Sequence, residues 1–81
     1  MVNKKEFGQR LKAARKRLGW TQAELAKAAA THQSRIAEWE GGRYHIYLWS
    51  AARLAAAMQI DLDYLAGLSD DMGSREPTGA S

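Results

Sequence analysis

Two helix signals only three residues apart constrain this chain more than any other feature in it. Thr21 and Glu24 form a Thr-x-x-Glu capping box, in which hydroxyl and carboxylate each take a backbone N–H at a helix start. The box opens a short helix from Gln22 to about Ala29, with Leu25, Ala26 and Ala29 as its buried face. A second short helix covers about Gln33 to Glu40, with Ile36 and Trp39 facing inward and Gly41-Gly42 ending it. Between them lies Ala30-Thr31-His32, which has room for a turn and nothing else. Two short helices joined this tightly must cross steeply.

Such a crossing is a helix-turn-helix arrangement, and the flanking sequence supplies further helices. Phe7, Leu11, Ala14 and Leu18 follow spacings of four, three and four, the apolar stripe of an amphipathic helix running from about Lys4 to Leu18. Asn3 stands three residues before Glu6 as its cap, and Gly19 stops it. A fourth helix is predicted from about Leu48 to Met58, with Leu48, Ala51, Ala52, Ala55 and Met58 on one face. Asp61 is placed to cap a fifth, Leu62 to Ala66, buried through Leu62 and Leu65 and stopped by Gly67. Alanine is abundant and the one proline is Pro77, so the chain is expected to be all-α. Residues 1–68 form the predicted domain; residues 69–81 are polar, contain Gly, Ser and Pro, and are expected to be a disordered tail.

Composition narrows the function classes. A chain of this length buries only about 60% of its unfolded surface, so a partner that adds to the core would matter. Cysteine is absent, which excludes disulfides and thiolate chemistry and points to a reducing cytoplasm. No apolar run approaches the roughly 20 residues of a membrane span, and the amino terminus lacks a secretory signal; a cytoplasmic protein is expected. The net charge of +3 is unevenly spread. Residues 1–43 carry ten Lys/Arg against four Asp/Glu, a balance of +6, while residues 44–81 carry two against five, a balance of −3. That polarity suits a polyanion, although a charge cluster taken alone is better explained by a solvated helix face. Catalysis is not expected. His32 and His45 are the only histidines, so neither a metal cluster nor a nucleophile–base pair is evident. Asp61/Asp63 and Asp70/Asp71 read as a helix cap and a solvated tail, and no cofactor is implied.

Several ordered pieces carry a resemblance. They are Arg-Leu-Lys-Ala-Ala-Arg at 10–15, Gly-Trp-Thr-Gln-Ala-Glu-Leu-Ala at 19–26 and Gln-Ser-Arg-Ile-Ala-Glu-Trp-Glu-Gly-Gly-Arg at 33–43, followed by Leu-Ala at 54–55 and Ile-Asp-Leu-Asp-Tyr-Leu at 60–65. In this order and register the chain resembles the phage Cro/repressor (Xre) family over roughly residues 7–67. The resemblance implies a compact five-helix, lambda-repressor-like domain that binds double-stranded DNA. The third helix would lie in the major groove, with Gln33 and Ser34 leading and Glu38 one turn further on, and Tyr44 reaching bases or backbone from the following loop. Glutamine can pair bidentately with adenine and glutamate can accept from cytosine. Gln22 matches a family glutamine that holds a phosphate and braces the first recognition residue. Arg35 and Arg43 suit phosphate contacts, with Thr21 and Arg10 assigned to the same role. Arg15 and Glu40 match a partly buried ion pair that fixes the angle of the third helix.

Two departures stand out. The turn usually holds Gly, an apolar residue and a Ser or Thr cap; here Ala30 occupies a site that favours a left-handed backbone. His32 is a poor cap, and if Thr31 caps instead, the third helix starts one residue early. The second departure is Tyr44-His45-Ile46-Tyr47-Leu48-Trp49, six residues without formal charge where relatives are more polar. Leu48 and Trp49 are expected in the core, as are Trp20 and Trp39. The remaining apolar surface marks an interface. Ile46, Tyr47, Trp49 and Tyr64 are the candidates for a homodimer contact that lets two modules read a palindrome. A transcriptional repressor is the favoured reading. An antitoxin that binds its own operator and a toxin protein through the aromatic segment or the tail is compatible with the same residues. So is an interaction module that has kept the fold without DNA binding.

Overall fold

A computed structural model describes residues 3–73. Among them the chain forms α1 (Lys4–Arg17), α2 (Gln22–Ala28), α3 (Gln33–Glu40), α4 (Leu48–Met58) and α5 (Leu62–Leu65), with no strand. Each start and stop lies within one residue of the position expected from the sequence. Asn3 caps α1 by accepting the Glu6 N–H at 2.8 Å. At α2 the Thr21 hydroxyl accepts from Glu24 N–H at 3.1 Å while the Glu24 carboxylate accepts from Thr21 N–H at 2.8 Å. Leu11, Leu25, Ile36, Leu54 and Leu65, one from each helix, are fully buried and form the centre of a single core.

The turn between α2 and α3 departs from ideal backbone. Ala30 adopts a left-handed conformation, φ 57°. In that geometry Ala30 N–H donates to Lys27 O at 3.2 Å and Thr31 N–H to Ala26 O at 2.9 Å, closing the end of α2. His32 occupies the cap position of α3 without a side-chain cap bond, so α3 starts at Gln33 and Thr31 does not move the start. Across the turn, α1 runs over the far end of α3 at Gly8. A Cβ there would lie 2.7 Å from the Glu40 carbonyl oxygen, so only glycine permits the approach.

Three expectations about packing are corrected. Leu48 and Trp49 are exposed, and Leu54 and the half-buried Ile46 contribute to the core instead. Leu48 keeps the phase of the Ala51–Ala55–Met58 stripe but borders an open groove shared with Phe7, Ile46 and Leu62. Leu18, the cap residue of α1, is also exposed. Asp61 stands before α5 but makes no side-chain cap hydrogen bond; its N–H donates to Met72 O at 2.8 Å and its carboxylate lies against Gly73. The cause is a return of the chain: Ser69 to Gly73 fold back on α1 and α5 rather than leaving the domain as a free tail. Residues 74–81 of the expected tail lie outside the described residues.

Candidate nucleic-acid interface

With about 100° between successive helix residues, the burial of Ile36 and Trp39 decides which side of α3 faces out. Gln33, Ser34, Arg35, Ala37 and Glu38 are all exposed. Ser34, Ala37 and Glu38 occupy the centre of that outer surface, with Gln33 on one flank and Arg35 on the other. Beyond the helix, Arg43 and Tyr44 are exposed and join Ala37, Glu38 and Gly41 around an open groove of about 400 Å³. Of the residues expected to meet base edges or phosphates, Gln33, Ser34, Arg35, Glu38, Arg43 and Tyr44 are thus exposed on α3 and the loop after it. Arg10, by contrast, stands on α1, and Thr21 and Gln22 at the start of α2.

A polar clamp holds that helix in place. Arg15 Nε donates to Glu40 Oε2 at 2.6 Å and Nη2 to Glu40 Oε1 at 3.0 Å, while Nη1 donates to the Trp20 carbonyl at 2.8 Å. The two side chains are 10% and 4% exposed, so the pair is largely removed from water. Its hydrogen bonds to Glu40 raise the Arg15 pKa above its already high value, and the guanidinium stays charged at every working pH. Gln22 Nε2 adds a bond to Glu40 Oε1 at 3.1 Å. This corrects the expectation that Gln22 braces Gln33. A carboxylate is a stronger acceptor than a neutral amide, and Glu40 lies within reach of the start of α2. Trp20 packs partly buried against the core, and its carbonyl joins the clamp, a part that side-chain patterns do not reveal.

Arg10 and Tyr64 do not occupy the positions their assigned roles require. The Arg10 guanidinium donates to the carbonyls of Tyr64 (2.9 Å) and Ser69 (2.7 Å), to Asp70 (2.7 Å) and to Glu6 (3.2 Å). The bond to Asp70 raises its pKa most. With its donors turned to the C-terminal segment, Arg10 is a strut rather than a phosphate contact. Tyr64 is 8% exposed, with its ring under Arg10 at 4.8 Å, and is a core residue rather than an interface residue. Thr21 is exposed, but its N–H and hydroxyl oxygen are engaged with Glu24. Ile46 is half-buried beside the groove it shares with Phe7, Leu48 and Leu62. Tyr47 and Trp49 are 72% and 68% exposed and stack on each other, centroids 5.2 Å apart.

The helix-turn-helix family model matches residues 11–65, from α1 to the end of α5. The chain belongs to that family. It is a helix-turn-helix protein of the Cro/C1 type, consistent with a lambda-repressor-like fold, in a family of DNA-binding transcription regulators that are typically not enzymes. No curated protein matches it. Among the described residues of this helix-turn-helix protein, no group of three or more His, Asp or Glu is placed to hold a metal ion. None of its described helices is long and apolar enough to cross a membrane. Sequence reasoning did not single out Gly8 or Arg53. An isolated glycine inside an otherwise helical run is a signal for the first, because it costs helix stability unless packing requires it.

Proposed function

We propose that the protein is a transcriptional repressor that reads a palindromic operator as a homodimer, with α3 in the major groove. The observation that carries this reading is the outer surface of α3. Gln33, Ser34 and Glu38 are exposed on a helix held by the Arg15–Glu40–Gln22 clamp, so the reading side chains are presented by a rigid element. Gln33 and Ser34 enter first and contact base edges, Glu38 follows one turn deeper, and Tyr44 reaches in from the loop. Arg35 and Arg43, with Thr21 at the start of α2, meet phosphates and set the register.

One module reads too few base pairs for useful specificity, which favours two modules related by a two-fold axis. The stacked Tyr47–Trp49 pair and the apolar groove beside Ile46 and Leu48 supply the surface for that pairing. The same stack supports a second reading, an antitoxin whose aromatic segment docks a toxin protein; co-purification with the product of a neighbouring reading frame would identify it. Selection of bound duplexes from a random pool at two salt concentrations tests the main reading. Enrichment of an inverted repeat with half-site centres about 34 Å apart is the expected result, and a pool without a shared sequence would overturn it.

A further inference from the structure

On the flank of α3 that carries Arg35 lies a polar recess of about 220 Å³, bordered by Thr31, Arg35 and Trp39 on one side and Ser50 and Arg53 of α4 on the other. Two guanidinium groups and two hydroxyls line it, and no carboxylate does. Arg35 is exposed and makes no ion pair with any described residue. Arg53 extends toward the end of α2, where Nη1 approaches the Ala29 and Ala30 carbonyls at 3.5 and 3.4 Å. These bonds are long and involve one nitrogen, which leaves the other donors of the fork available. Two like charges bordering one recess repel each other, and an anion between them removes that repulsion. A planar guanidinium fork suits the oxygens of a phosphate better than any other side chain does.

The position of the recess on α3 names the anion. A helix with its side chains is about 10–12 Å across and fills a major groove about 12 Å wide, so each flank faces one phosphate backbone. Gln33 shares its flank with Glu40, seven residues on, and Glu40 is bonded to Gln22 at the start of α2. With α3 in the groove, that flank would face one strand alongside α2. Arg35 and Trp39, four residues apart, define the other flank, and the recess opens there.

We infer that this recess seats a backbone phosphodiester of the second DNA strand, clamped by Arg53 and Arg35 with the Thr31 and Ser50 hydroxyls as further donors. The inference rests on the DNA-binding reading above and adds Arg53 and Ser50 of α4 to the interface.

Duplex affinity measured against salt concentration tests it, using the full chain and a duplex taken from the selected pool. The slope of log K against log salt changes by about 0.9 for each phosphate neutralised. Arg53→Gln leaves Arg35 on the same phosphate, so it is expected to flatten the slope by less than one and to weaken binding to selected and unrelated duplexes by the same factor. Arg35→Gln combined with Arg53→Gln is expected to flatten it by about one. Because Arg53 also approaches the end of α2, a further variant separates binding from folding. Ser50→Asp puts a carboxylate in the recess at the third position of α4, where an acidic residue favours the helix. It is expected to hold or raise thermal stability while lowering affinity for every duplex. Wild-type slope and affinity in these folded variants would overturn the assignment. So would thermal stabilisation by inorganic phosphate that Arg53→Gln abolishes without a change in slope, which would make the recess a small-anion site. Absence of duplex binding by the parent protein would instead remove the DNA-binding reading itself.

Discussion

The backbone of Gly8 lies directly against the carbonyl oxygen of Trp39, so α1 rests on the last turn of α3 with no side chain between them. Alanine is the better helix former by about 1 kcal/mol in an exposed helix. Here an added Cβ would collide with the Trp39 and Glu40 carbonyls, backbone atoms that cannot rotate aside. Gly8→Ala is therefore expected to destabilise the protein by about 1–3 kcal/mol, the usual cost of overpacking. Thermal denaturation checks the sign; a higher melting temperature would show that the contact yields.

Ala30 makes the opposite prediction. Its left-handed backbone, φ 57°, costs a side-chain-bearing residue about 1–2 kcal/mol. Replacement by glycine relieves that strain while leaving the bonds to Lys27 and Ala26 in place. Ala30→Gly should stabilise by about 1 kcal/mol, a rise of about 4–8 °C in Tm for a domain of this size.

Arg15 and Glu40 should behave as a unit. Removing either leaves a charge in a largely buried site, at a cost of about 3–5 kcal/mol. Removing both eliminates the stranded charge, so Arg15→Ala with Glu40→Ala is expected to cost well under the sum of the two. Additive losses in chemical denaturation would contradict the coupling. Gln22→Ala removes one peripheral bond and should cost about 1 kcal/mol.

These sites also show how far the sequence could be read. The Thr21–Glu24 box, the Gly19 stop and the stripe through Phe7, Leu11 and Ala14 are local signals, complete within one turn or two, and the helices form where those signals place them. The left-handed site at Ala30 was legible from the resemblance, because the turn of that family usually holds a glycine there. Partnerships across the chain were less so. Arg10 has the charge of a phosphate contact, and only the return of residues 69–73 to α1 turns its donors inward. Tyr64 is apolar enough for an interface or a core, and the choice depends on how α5 meets α1. Leu48 and Ile46 exchange their expected roles because the segment entering α4 fills part of the space beside Phe7, which helical periodicity does not describe.

The exposed Tyr47–Trp49 stack predicts association. Sedimentation at micromolar concentration and moderate salt is expected to show a dimer. Tyr47→Asp combined with Trp49→Asp should give a monomer with unchanged helicity, because neither side chain belongs to the core. Ile46→Asp is less informative, since Ile46 packs partly against the core. A monomeric parent would remove the preformed dimer, and a dimer untouched by the double variant would place its contact elsewhere.

Gln33 tests the central claim most directly, because it leads α3 and is exposed at the start of its reading surface. The measurement is the affinity of parent and Gln33→Ala proteins for a selected duplex and for its single-base variants at fixed salt. Loss of about 1–3 kcal/mol together with relaxed preference at one base position is the predicted result. Unchanged affinity and unchanged preference at every position would contradict the assignment of α3 as the reading helix.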